Sequence, residues 1–165
     1  ALTGQRPHDR RLAHQTCFED EVILVGAPGR APSRVSIDEL AKLPLLWPSG
    51  DLGLESSVSR ALAKAGLAAG RLDIVMEIED FPMLKTFMRA GLGLAFVPRM
   101  TVSDELRFGL LKEVTVSGLD IRRNTYLIFP KARPPRELVA NFIDFVKSRD
   151  PAEMSVAAST DSGEG

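Results

Sequence analysis

The chain has 165 residues, of which 44% are hydrophobic and 26% are charged, as in an ordinary globular domain. Its 21 basic residues are balanced by 22 acidic ones, which argues against a domain that grips DNA by itself, because phosphate contacts need a basic excess. No apolar run approaches the roughly 18 residues of a membrane-spanning helix, and no signal peptide or anchor is visible.

The first 20 residues predict an irregular, charged lead-in. Its two histidines, His8 and His14, do not stand at a metal-ligand spacing from each other or from other ligand types. We therefore expect solvated or capping histidines and no metal site. Cys17 is the only cysteine and has no neighbouring base, which predicts a buried structural thiol.

Two short strands and a helix follow the lead-in. The apolar run 22–25 predicts a buried strand, bounded by glycine and proline. Ser36 stands three residues before Glu39, the spacing of a capping box, and so predicts the start of a short helix. The run 43–47 predicts the second apolar strand, which Pro48 ends.

The glycine-rich loop after Pro48 is the most suggestive segment for function. It connects a strand to a helix that ends at Gly66, and free amides at such a helix start can hold an anion or a carboxylate. The alternative is that Ser49 or Asp51 only caps the helix. Asp51 and Glu55 would also oppose a strongly anionic ligand. The loop has no P-loop lysine and no Gly-x-Ser-x-Gly motif, so we do not predict catalysis there.

A strand over 72–76 is predicted next, and it leads to Glu77 and Glu79. Paired carboxylates can act as general acid and base, but two residues apart at a strand end they more often cap a helix or face solvent. The helix after them is predicted from the spacing of its apolar side chains, with Asp80 as N-cap and Gly91 after the last turn. The apolar run 94–97 then predicts a buried strand.

Further elements are predicted towards the end of the chain. A helical stretch to Arg107 precedes a strand over 110–114, and a run of β-forming residues predicts another strand over 124–129. Two prolines at 134–135 open an amphipathic helix. Residues 151–165 are small, polar or acidic, and we expect them to be disordered.

The order of these motifs resembles the effector-binding domain of LysR-type transcriptional regulators. The resemblance covers roughly Leu2 to Arg149. Each motif is weak alone, but their common order is fairly specific. The segments that carry it are Glu21–Pro28, Ser36–Leu40, Ala90–Pro98, the pattern Leu106-x-x-Gly109-x-Leu111, and Asn141–Val146.

The resemblance implies an α/β fold like that of type 2 periplasmic binding proteins, in which two lobes are joined by two crossover segments. Residues 22–129 would form the second lobe, a three-layer sandwich around a central mixed sheet. Residues 1–21 and 130–150 would be a remnant of the first lobe. The crossovers are expected at Leu24–Pro28 and Leu127–Lys131. The family's winged helix and the start of its first lobe are missing from this sequence.

The resemblance also implies that the domain binds a ligand and does not catalyse a reaction. A small-molecule effector would bind between the lobes and control DNA binding by the missing N-terminal winged helix, in a cytoplasmic dimer or tetramer of the full-length protein. No enzyme activity, cofactor, metal or membrane contact is implied. The expected ligand-binding residues are Ser49, Gly50, Asp51, Leu52, Gly53, Leu54, Glu79, Asp80, Phe81 and Arg6.

Two alternatives remain open from the sequence. The first is a solute-binding module of transport type with the same fold. The second is an enzyme on this fold, which no constellation of residues supports. The sequence does not identify the effector, although the few basic residues near the candidate loop favour a polar, weakly charged molecule slightly.

Overall fold

In the computed structural model, the described residues are 2–3, 7, 9–49, 54–132, 141 and 144–145. They divide into two compact units. The first unit contains the described residues up to Asp20 and from Arg123 onwards, and the second contains Glu21–Arg122.

The described residues form eight strands, four α-helices and two short 3₁₀ turns. The strands are β1 (Leu2–Thr3), β2 (Leu12–Gly26), β3 (Arg34–Val35), β4 (Leu45–Pro48), β5 (Ile74–Ile78), β6 (Ala95–Pro98), β7 (Lys112–Val116) and β8 (Arg122–Pro130). The helices are α1 (Ile37–Leu40), α2 (Leu54–Lys64), α3 (Phe81–Arg89) and α4 (Ser103–Arg107), and the 3₁₀ turns are Ala69–Arg71 and Arg99–Val102.

The second unit is built on a mixed sheet. Strands β4 and β5 pair in parallel, and Leu45 forms a parallel bridge to Leu94, the residue before β6. The end of β2 lies antiparallel between β6 and β7, with Leu24 opposite both Phe96 and Val114. Strand β3 pairs in parallel with β7. Five strands therefore run in one direction and β2 runs against them.

Helices cover both faces of this sheet. Successive side chains of β2 point to opposite faces and belong to two different core clusters. Leu24 belongs to the core cluster that contains Leu62 of α2, whereas Val25 belongs to the cluster that contains Met88 of α3. The predicted three-layer sandwich with a central mixed sheet is thus confirmed. The strand predicted over 94–97 is confirmed as β6, in which all four residues are buried.

Local signals set the bounds of α3 as predicted. Asp80 is the N-cap residue, with an extended backbone, and Gly91 after the helix has a φ of 74°. Positive φ is costly for residues with a Cβ, so glycine is required there. The capping box of α1 is also present, since Ser36 and Glu39 exchange hydrogen bonds.

In the first unit, β1 pairs antiparallel with β8, which in turn neighbours β2. Cys17 is buried with Leu127 in a small cluster, as predicted for a structural thiol. The prediction of an irregular lead-in over 1–20 is wrong, because β2 begins at Leu12. This half of the strand is rich in polar residues, and no apolar run identifies it in the sequence.

The chain passes between the units at Asp20–Glu21 and again at Arg122–Arg123. This division falls a few residues before the crossovers implied by the resemblance at Leu24–Pro28 and Leu127–Lys131, which stay a prediction. That the two units correspond to lobes stays a prediction. The expected helix after Pro134 falls outside the described residues except for helical positions 141, 144 and 145, and the tail 151–165 lies entirely outside them.

Candidate functional site

The candidate site lies where β4 and β5 end. Because these strands are parallel, their carboxyl ends share one edge of the sheet, the usual ligand-binding edge in α/β folds. The backbone N–H of Ser49 donates to the carbonyl of Ile78, with 3.0 Å between nitrogen and oxygen. Helix α2 begins after one of these strands and α3 after the other. Ser49 and Glu79 are thereby brought to neighbouring positions.

The two acidic residues of this edge have different roles. The Oδ1 atom of Asp80 accepts a 2.7 Å hydrogen bond from the backbone N–H of Met83 and caps α3. The capping role weighed from the sequence is therefore observed for Asp80. Glu79 is exposed to solvent. Its carboxylate is the one available for a ligand that donates hydrogen bonds.

Other expected ligand contacts are placed differently by the structure. The side chain of Leu54 is 1% exposed and packs in the core with Val58, so it faces away from the edge. Its apolar character is explained by this packing. Phe81 is half-buried and packs against the core cluster under α3. Residues 50–53 and Arg6 lie outside the described residues.

Arg99 was not expected from the sequence, yet it follows β6 at the same edge of the sheet. Its Nε lies 2.7 Å from Oε2 of Glu21, and its Nη2 lies 2.7 Å from Oε1 of Glu113. Burial alone would lower the pKa of Arg99, but hydrogen bonds to and charges of Glu113 and Glu21 outweigh it and raise that pKa. The only local signal was a cation directly after a buried strand.

Two cavities lie elsewhere in the second unit. The larger, of about 400 Å³, follows the flank of α2, and the smaller, of about 100 Å³, lies beside β2 and β7. Neither is lined by Ser49, Glu79 or Asp80. The larger cavity is lined by Ser57, Arg60, Ala61, Lys64, Ala65 and the segment 118–122.

The chemistry available at the candidate edge is hydrogen bonding. Ser49 offers a hydroxyl and Glu79 a carboxylate, and the first turn of α3 begins two residues after Glu79. Within the part of the chain that the structure describes, no group of three or more His, Cys, Asp or Glu side chains could hold a metal ion. In the same part of the chain, no helix is long and apolar enough to cross a membrane.

The chain matches the model of the LysR substrate binding domain over residues 1–151. It is 29% identical to the HTH-type transcriptional regulator Rv2282c of Mycobacterium tuberculosis, covering 79% of this chain and 44% of that protein. It is 30% identical to the phosphonates import ATP-binding protein PhnC of Anaeromyxobacter dehalogenans, covering 91% of this chain and 30% of that protein. The chain thus spans less than half the length of these relatives.

A solved structure with the same fold is the regulatory domain of CcmR from Synechocystis, in complex with 2-PG. The TM-score is 0.72 at 14% sequence identity, and the alignment covers 89% of this chain and 71% of that domain. At this identity the likeness establishes the fold, which is the one expected from the sequence.

Proposed function

The chain belongs to the LysR substrate-binding domain family, and we propose that it is the ligand-sensing regulatory domain of a LysR-type transcriptional regulator. The effector is a small, polar, weakly charged molecule. DNA binding is assigned to a winged helix outside these 165 residues. The balanced charge of the chain supports a domain that does not itself contact DNA, since phosphate binding needs a basic excess.

The proposed effector site is the edge where β4 and β5 end. The observation that carries this proposal is the shared edge itself, on which Ser49 and Glu79 neighbour each other and two helices begin. Glu79 and the Ser49 hydroxyl supply polar contacts in the proposal. Loop residues 50–53 and Arg6 remain proposed contacts, whereas Leu54 is proposed to hold the start of α2 in the core.

Sensing in this proposal requires no reaction. Residues 22–129 act mainly as the second lobe of a two-lobed domain, with 1–21 and 130–150 belonging to the first. An effector that binds one arrangement of the lobes more tightly shifts the population towards it, by no more than its differential affinity. We assign the domain no catalytic step and no cofactor. The full-length protein is proposed to act in the cytoplasm as a dimer or tetramer.

The effector site is tested by thermal unfolding of the 165-residue chain with a panel of small polar metabolites, 2-PG included. We expect at least one compound to raise the midpoint in a concentration-dependent manner, because a ligand that binds only the native state stabilises it. Glu79→Gln should abolish the shift without lowering the midpoint of the free chain. Asp73→Asn, an equally exposed change before β5, is the control and should retain the shift. A shift that survives Glu79→Gln would place the effector elsewhere.

A solute-binding module of transport type is the second candidate, which the 30% identity to an import ATP-binding protein raises, although the family match supports the regulator. The two candidates differ in what the full-length product does. A regulator should retain promoter DNA in an effector-dependent manner and should not hydrolyse ATP. An effector-dependent ATPase that fails to retain DNA would favour the transport module.

A further inference from the structure

The topology of the second unit brings five connecting segments to one edge of its sheet. Strands β3, β4, β5, β6 and β7 are parallel, so the segments that enter them lie opposite the candidate effector site. We call this surface the entry edge. It consists of residues 26–34, 40–45, 64–74, 89–95 and 107–112.

The charge of the entry edge is strongly one-sided. Eight cations lie on it with a single carboxylate, Asp73, although the whole chain carries a net charge of only −1. Seven of the eight cations are exposed and Lys112 is half-buried. The cations are Arg30, Arg34, Lys42, Lys64, Arg71, Arg89, Arg107 and Lys112.

Hydrogen bonds connect the segments of this edge into one surface. Arg30 donates to the carbonyl of Gly91, with 3.4 Å between Nη1 and oxygen, and Lys112 donates to the Ser33 hydroxyl, with 2.7 Å between Nζ and Oγ. Among the described residues, none of the eight cations forms an ion pair with a carboxylate. Their charge is therefore not neutralised locally.

Helix ends explain only part of this charge. Cations in the last turn of a helix offset its macrodipole, which accounts for the cations that end α2, α3 and α4. The other five lie in loops, in the 3₁₀ turn before β5, or at the first residue of a strand. Of these five, Arg30 and Lys112 hydrogen-bond to neighbouring segments of the edge. The helix ends do not account for Arg34, Lys42 or Arg71.

Large apolar side chains are also exposed on the entry edge. Leu92, Phe108, Leu110 and Ile74 are 52%, 66%, 43% and 36% exposed, respectively. The guanidinium of Arg107 lies over the Phe108 ring, with 5.2 Å between Cζ and the ring centroid. Apolar side chains beside unpaired cations are typical of a protein-binding surface, in which charges steer the partner and buried apolar groups hold it.

We propose that the entry edge docks an acidic protein segment that carries apolar side chains. Charge complementarity requires an acidic occupant, and the exposed apolar residues require apolar groups opposite them. The phosphate backbone of a nucleic acid would satisfy the cations but would leave Leu92, Phe108 and Leu110 without partners. The surface lies at the far edge of the sheet from the effector site, so one domain can engage both ligands.

The proposal is tested with a fluorescent peptide of alternating Glu and Leu, titrated with the 165-residue chain. The entry edge spans six strands, about 24 Å, which an extended peptide of about eight residues covers. We expect saturable binding that weakens with salt. The double variant Arg30→Glu/Lys112→Glu should weaken it at least about tenfold, and Phe108→Ser several-fold. Unchanged Trp47 emission verifies that each variant is folded.

Matched controls separate this surface from general attraction between charges. Arg60→Glu reverses an exposed cation on α2 that is not part of the entry edge, and it should leave binding within about twofold. A Glu–Ser peptide should bind more weakly than the Glu–Leu peptide. Its affinity should not change with Phe108→Ser. Equal losses for Arg60→Glu and the double variant would overturn the proposal. So would tighter binding of a short DNA duplex than of the Glu–Leu peptide.

Discussion

Asp80 accepts a 2.7 Å hydrogen bond from the backbone N–H of Met83, at the same edge where we place the effector. One carboxylate of the edge thus stabilises α3, and its neighbour Glu79 does not. We expect Asp80→Ala to lower the free energy of unfolding by about 1 kcal/mol, because it leaves an amide of the first turn unpaired. Urea unfolding followed by Trp47 fluorescence measures this loss.

Two variants show whether the loss arises from capping. Asp80→Ser retains an oxygen acceptor and should recover most of the stability. Glu79→Ala removes an exposed side chain and should change the free energy of unfolding by less than about 0.5 kcal/mol. If Glu79→Ala is as destabilising as Asp80→Ala, the division of roles between the two acids is wrong.

Gly93 allows the α3–β6 turn to approach the residue before β4. A Cβ built on Gly93 would lie 2.9 Å from the carbonyl oxygen of Pro44 and 3.0 Å from Cγ of Leu46. That carbonyl also accepts the backbone N–H of Leu94 at 2.9 Å, so it cannot move without weakening a sheet contact. We expect Gly93→Ala to destabilise the chain by about 1–3 kcal/mol in urea unfolding.

Gly29→Ala is the matched control for this substitution. A Cβ at Gly29 meets nothing within 4 Å, and no positive φ opposes it. We expect it to be neutral or to stabilise by up to about 1 kcal/mol, since alanine restricts the unfolded chain. Equal effects of the two substitutions would contradict the close approach described for Gly93.

Much of the fold could be predicted because its signals are local. The cap at Asp80 and the left-handed residue Gly91 define α3 within a dozen residues, and an apolar run identifies β6 as a strand buried on both faces. The first half of β2 gives no such signal. Its residues from Leu12 to Asp20 are mostly polar, and their strand conformation depends on pairing with β8, about a hundred residues later.

The candidate site was predicted only in part for a similar reason. Ser49 and Glu79 follow strands that the sequence reveals, and parallel pairing then places them together. Arg99 could not be identified, because its two partners, Glu21 and Glu113, come from strands that lie far from it in the sequence. The burial of Leu54 in the core was also not predicted, because a sequence does not show which side of a helix start faces the core.

The capping box of α1 predicts a specific pH dependence. The backbone N–H of Ser36, and then its hydroxyl, donate to the Glu39 carboxylate and lower the pKa of Glu39 below its ordinary value of 4.5. The unfolded chain therefore takes up this proton more readily. The stabilisation is present above pH 4.5 and is lost as the pH falls through the lowered pKa.

Two measurements check this expectation. NMR titration of the Glu39 carboxyl should give a pKa below 4.5, and Ser36→Ala should move it partly back, because only the hydroxyl donor is lost. The melting temperatures of the native chain and Glu39→Gln should differ at neutral pH and converge in acid. A difference that is independent of pH would show that the charged form is not favoured by the cap.

Arg99 forms ion pairs with two carboxylates from different strands. Replacing Arg99 removes both pairs and should therefore lower the free energy of unfolding. The three side chains are 40%, 44% and 37% exposed, so solvent screens each pair and we expect Arg99→Met to cost about 1 kcal/mol in total. Most of this loss should disappear at 1 M salt, where the Debye length falls to about 3 Å. Arg11→Met, which breaks a pair with Asp9 in which the Arg11 side chain is 89% exposed, should have no measurable effect. Urea unfolding at low and high salt compares the two variants, and an Arg99→Met effect that salt does not reduce would assign the role of Arg99 to packing.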